Sequence, residues 1–198
     1  MPELLLDETE RLRLAFLELE TVEDELRRRR RQSGIKYFVP NRPQLKALQS
    51  PARFIAYCGG NRVGKTTLGA FWMASHLSQT YPGCDCHHTW MHHTHRFKRS
   101  VKAVIVVTGF AKIEQVIEEK LFSVLPRDWI AQTKRTPQGY LRRLVGKNGS
   151  IVDILTNEMD QMAFESTDWD IAWVDEPTAI SHYYALQRGL LDRMGLML

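Results

Sequence analysis

Apolar and polar positions alternate along this chain in two rhythms. Over residues 8 to 31, Leu12, Ala15, Leu19, Val22 and Leu26 recur at spacings of three and four in an otherwise charged stretch. That spacing predicts a helix with one apolar seam. Two heptads are too short to distinguish a coiled-coil arm from a helix packed on its own domain. After Ser33-Gly34 come Pro40, Pro43 and Pro51, which read as a connector. From there the apolar runs become short and continuous. Phe54 to Cys58, Ala103 to Val107 and Ile171 to Val174 read as buried strands, and Leu68 to Ala74 and residues 111 to 124 as helices. Leu141 to Val145 and Ile151 to Leu155 flank Gly146-Lys147-Asn148-Gly149, a hairpin signal. The stretch between Pro126 and Pro137 reads as a polar loop, and residues 81 to 100 as irregular. Strands alternating with helices predict a mostly parallel sheet covered on both faces, a three-layer α/β domain over residues 35–198 with a helical arm over residues 1–34.

Composition changes this picture little. The chain has 198 residues, 43% hydrophobic and 25% charged, enough for one globular domain with a sizeable core. A net charge of +4 is mildly basic and compatible with a nucleic-acid partner. The acidic arm ends in five consecutive arginines, Arg27 to Arg31, which suit a helix C-terminus or a phosphate-bearing partner. Three cysteines give no disulfide framework, and Leu4-Leu5-Leu6 is too short and too acid-flanked for a secretory leader. The expected location is the interior of a cell, not an exported fraction.

The chemistry begins at Gly59-Gly60-Asn61-Arg62-Val63-Gly64-Lys65-Thr66-Thr67. Gly59, Gly64, Lys65 and Thr66 satisfy G-x-x-x-x-G-K-[ST], the P-loop that cradles nucleotide phosphates. Glycines let successive N–H groups turn toward phosphate oxygens, and the following helix adds its N-terminal dipole. Lys65 is the candidate for the β- and γ-phosphates and Thr66 for Mg²⁺. The strand–loop–helix context is the one this motif needs.

A second candidate centre stands at Asp175-Glu176, directly after the apolar run Ile171 to Val174. In that position Asp175 would assist Mg²⁺ and Glu176 would act as general base on the attacking water. GTPase signatures are missing: residues 175 to 178 are Asp-Glu-Pro-Thr, and Asn157-Glu158-Met159-Asp160 has Glu where a guanine-reading motif needs Lys. ATP is therefore the expected nucleotide. Gln44 is a candidate for its adenine edge, because an amide both donates and accepts.

These features together resemble the N-terminal ATPase domain of tailed-bacteriophage terminase large subunits. The likeness runs from about Phe38 onward. It rests on Pro40-Asn41-x-x-Gln44, the Gly59 to Thr67 loop, Tyr81-Pro82, Phe164-Glu165-Ser166 and Trp173-Val174-Asp175-Glu176-Pro177. The resemblance implies additional-strand conserved-glutamate (ASCE) topology and a ring of subunits. It further implies ATP-driven movement of double-stranded DNA into a procapsid, with portal and small terminase subunit as partners in the host cytoplasm. Members of this family also carry an RNase H-like nuclease. The 198-residue chain leaves no room for one and stops at Gly195-Leu196-Met197-Leu198, before a Thr/Ser-rich coupling segment. Nuclease activity is therefore not expected from it, and its coupling of ATP to DNA movement stays open.

Other candidates carry less specific signals. Arg62 lies inside the loop, where a guanidinium could sense the γ-phosphate and pair with Glu176. Arg142 and Arg143 are candidate arginine fingers acting on a neighbouring subunit. Cys84, Cys86, His87 and His92 crowd a segment holding five of the seven histidines, a candidate zinc set whose spacing fits no standard module. Two alternatives stay open on sequence grounds: a helicase-like nucleic-acid translocase, and an ATP-binding assembly module that is inactive outside a ring.

Overall fold

The computed structural model describes residues 8–32, 34–60, 62–78, 96–165 and 168–198. A long helix α1 (Glu8–Gln32) opens the chain, followed by a 3-10 turn (Gly34–Tyr37), α2 (Arg42–Leu48) and α3 (Lys65–Ser78). Strand β1 (Lys102–Val107) leads into one helical stretch: α4 (Phe110–Lys112), a π-helical segment (Ile113–Glu118) and α5 (Glu119–Val124). Strands β2 (Ile130–Arg135), β3 (Leu141–Gly146) and β4 (Ile151–Thr156) precede α6 (Met162–Glu165) and β5 (Ile171–Val174). Helix α7 (Ile180–Leu191) and β6 (Leu196–Met197) complete the order.

The six strands form one sheet in the order β2-β3-β4-β1-β5-β6. β4, β1, β5 and β6 run parallel, and β2 and β3 form an antiparallel meander on one edge. At the other edge Phe54 makes a parallel bridge to Met197. β6 thus lies between the segment that enters the P-loop and β5, the strand directly before Asp175. That inserted strand is the arrangement expected of ASCE topology.

The core explains why β1 is apolar after its exposed first residue, Lys102. Ala103, Ile105 and Val107 face a cluster with Leu68, Phe71, Ile117, Leu121 and Trp173. Val104 and Val106 face the opposite cluster with Phe164, Trp169, Leu186 and Leu190. A parallel strand covered by helices on both faces has no polar side. Three layers result: α3 and α5 on one face, the sheet, then α6 and α7.

Several expectations change. The polar stretch before Pro137 is strand β2, not a loop. Its side chains are mostly exposed because it is an edge strand, so pairing with β3 rather than an apolar pattern defines it. The proline-punctuated connector contains α2, with Pro43 in its first turn, where a missing N–H costs nothing. Phe54 to Cys58 is not a buried strand. Among the described residues it is bonded on one side only, through Ile55 N–H to Met197 O at 2.9 Å. The seam on α1 stands in solvent, with Leu12, Leu19 and Val22 each more than half exposed. On the same helix Arg28 and Arg29 both hydrogen-bond Glu25 and lower its pKa to about 2. Among the described residues no helix is long and apolar enough to cross a membrane.

Candidate functional site

Asn41 caps α2 by accepting from the Gln44 backbone N–H at 2.9 Å, while the Gln44 side-chain oxygen accepts from Asn41 N–H at 2.9 Å. This is the reciprocal capping box that Asn-x-x-Gln encodes. It aims the buried Gln44 amide at the P-loop, where Nε2 donates to Gly64 O at 3.0 Å. Gln44 therefore braces the loop. One amide hydrogen and one oxygen lone pair are not used by these bonds.

The loop itself turns through two residues in the left-handed region, Arg62 at φ 64° and Gly64 at φ 81°. Gly64 is required twice over, since a Cβ there would also stand 2.7 Å from Gln44 Nε2. Leu68 N–H bonds Gly64 O at 2.9 Å and starts α3. Lys65 Nζ folds back onto Gly59 O and Gly60 O, each at 2.8 Å. Gly59, Gly60 and Val63 are exposed, whereas Gly64, Lys65, Thr66 and Thr67 are half-buried in the loop and first helical turn. Asn61 lies outside the described residues.

Across the sheet edge, β5 ends and the backbone bends at Asp175-Glu176. Asp175 is almost wholly buried, and its Oδ2 lies 3.0 Å from Lys112 Nζ. Its Oδ1 is buried with no hydrogen-bond partner among the described residues. A carboxylate oxygen in that state suits a cation or a metal-bound water. Glu176 Oε1 accepts from the same Lys112 ammonium. That hydrogen bond, together with one from Thr108, holds the Glu176 carboxyl below the usual carboxylate range against the opposing effect of burial. Burial works against the Lys112 charge, but its bonds to Glu176 and Asp175 outweigh this and raise its pKa. Loop and acids line one cleft of ≈ 860 Å³ that includes Gly59, Lys65, Asp175, Glu176 and Tyr183. The cleft lies at the C-terminal ends of parallel strands, where open α/β sheets bind ligands.

A family model described as terminase large subunit, T4-like virus type, N-terminal, matches residues 56–187. The chain belongs to this terminase large-subunit family. Among solved structures it resembles the Thermus phage P74-26 large terminase ATPase domain, with a TM-score of 0.57 at 14% identity over 83% of this chain. An arginine-to-alanine mutant of that domain matches with a TM-score of 0.54, also at 14% identity over 83% of this chain. The chain spans 65% of the first structure and 66% of the second. At such identity the likeness is one of fold. No curated protein matches the sequence.

The remaining candidates of this terminase chain fall apart spatially. Glu176 pairs with Lys112, and the exposed Arg62 has no hydrogen-bond or ion-pair partner among the described residues. Arg142 Nη1 donates to Ile154 O at 2.5 Å. Arg143 forks onto Asp153 at 2.5 and 2.8 Å. Cys84, Cys86, His87 and His92 lie outside the described residues, as does Ser166. Sequence reasoning missed Lys112 and Thr108. The available signal was Thr108-Gly109 directly after β1, a strand end at the ligand-binding edge.

Proposed function

We propose that this chain is the ATP-hydrolysing part of a packaging motor that moves double-stranded DNA into a procapsid. The observation that carries this reading is the convergence of Lys65 with Asp175 and Glu176 on one cleft. Loop N–H groups and the α3 N-terminus receive the phosphates. Lys65 exchanges its bonds to Gly59 O and Gly60 O for phosphate oxygens, which are charged and stronger acceptors. Thr66 and the unpartnered Oδ1 of Asp175 are the groups that would hold Mg²⁺. The ion, when bound, supplies positive charge against the triphosphate. Glu176, ionised well below neutral pH, receives the proton of the attacking water.

The wider assignment follows the family. The motor is a ring of identical chains that engages portal and small terminase subunit, and it acts in the host cytoplasm. Arg142 and Arg143 serve a neighbouring site only if their bonds to Ile154 O and Asp153 break. Isolated chains therefore turn over slowly.

Isothermal calorimetry and phosphate release test the chemistry. Lys65→Ala is expected to lose Mg·ATP binding, and Glu176→Gln to bind normally but hydrolyse about 10²–10⁴-fold more slowly. Equal affinity for parent and Lys65→Ala, or a parental rate in Glu176→Gln, overturns the assignment.

A further inference from the structure

We infer that Lys112 is a positioning residue for Glu176, and this rests on the ATP-hydrolysis reading above. Successive side chains of an extended strand point to opposite faces. Asp175 and Glu176 nevertheless meet one ammonium: Lys112 Nζ lies 3.0 Å from Asp175 Oδ2 and is hydrogen-bonded to Glu176 Oε1. The bend after β5 makes this possible, and Lys112 is the group that draws the two carboxylates together. Two neighbouring carboxylates repel, so this cation keeps them convergent. Asp175 is buried and fixed by its backbone N–H to Val106 O at 3.0 Å, whereas the Glu176 side chain is 44% exposed. Glu176 is thus the member whose direction needs holding.

Lys112 is well placed to hold it. It is the last residue of α4, and the π-helical segment begins immediately after it. The next residue, Ile113, and Ile117 one turn on are buried in the core cluster beneath the sheet. The lysine therefore projects from anchored backbone. Widened π turns are frequent at functional sites. Each carboxylate oxygen has two lone pairs, so the bonds from Lys112 and Thr108 leave the Glu176 carboxylate with capacity to accept a proton from water. Lys112 itself touches no reacting atom in this scheme.

The test is steady-state and single-turnover hydrolysis by the assembled motor, with the parent and Lys65→Ala as references. Lys112→Met is expected to lower kcat about tenfold or more while KM for Mg·ATP stays within about threefold, a fraction of what a general base contributes. Lys112→Arg, which keeps the charge, recovers part of the rate. In a Glu176→Gln background Lys112→Met adds no further loss, because it acts through the missing base. An unchanged or raised kcat in Lys112→Met overturns the inference, the raised rate marking a restraining latch. An equal further loss in the Glu176→Gln background overturns it too. If Lys112→Met fails to fold by circular dichroism, Lys112→Gln replaces it in the same measurements. A parent no faster than Lys65→Ala refutes ATP hydrolysis itself, and the Lys112 role with it. An active parent isolates the question to Lys112.

Discussion

Gly69→Ala is a substitution for which two physical effects oppose each other. In an isolated helix, alanine would stabilise by at most about 1 kcal/mol relative to glycine. Here Gly69 lies on α3 against the indole of Trp173 on β5. A Cβ would stand 2.1 Å from Trp173 Cε2 and 2.2 Å from Nε1. An ordinary carbon contact needs roughly 3.5–4.0 Å. Trp173 is 2% exposed and lies within the core cluster, so the ring has nowhere to rotate. Overpacking of this kind costs about 1–3 kcal/mol, and the severity of the overlap places it in the upper part of that range. The net expectation is destabilisation by about 1–2 kcal/mol. For a domain of this size that lowers Tm by roughly 2–8 °C. Urea unfolding should show a lower midpoint at unchanged slope. Because α3 begins at Lys65 and β5 ends beside Asp175, pushing the two apart should also weaken Mg·ATP binding. In a Trp173→Leu background the same alanine should cost clearly less. A Gly69→Ala protein at least as stable as its parent, with unchanged nucleotide affinity, refutes the proposed contact.

Two further outcomes can be measured. Fully buried Asp170 accepts from Arg99 at 2.6 and 2.9 Å, from Arg193 at 2.8 Å and from Lys102 N–H at 2.8 Å. Burial pushes its pKa up, these bonds outweigh that, and the folded value lies below the ordinary aspartate value. The unfolded chain then binds more protons, so this stabilisation is complete above about pH 4 and is lost as pH falls through the depressed folded pKa. Asp170→Asn should lose about 3 kcal/mol at neutral pH and show a flatter acid limb of stability; equal slopes in parent and variant contradict this. Arg62 adopts φ 64°, which costs an L-residue about 1–2 kcal/mol. Arg62→Gly should leave folding stability unchanged or slightly higher while assembled-motor turnover falls, and undiminished turnover would make Arg62 a surface residue only.

The sequence alone determined what depends on near neighbours. Ala103 to Val107 had to be a strand covered on both faces, because no polar side chain interrupts it. The Gly59 to Thr66 spacing specified a tight turn followed by a helix, and Asn41-x-x-Gln44 carried its capping box within four residues. Asp175-Glu176 announced itself by following an apolar strand. Tertiary structure decided which of these segments meet. The exposed residues of β2 became a strand only by pairing with β3, and polar edge strands leave no apolar period to read. β6 took its place beside β5 because Ile171 and Ala172 pair with Leu196 and Met197, across a helix whose buried face is matched to the sheet. Gln44 reaches Gly64 across 20 residues of sequence, and Lys112 reaches Glu176 across 64. Local propensity and periodicity act over a few residues. Contacts at these separations exist only after the apolar faces of α3, α5 and α7 have been buried on the sheet, and that burial brought an unremarked lysine between the two acids.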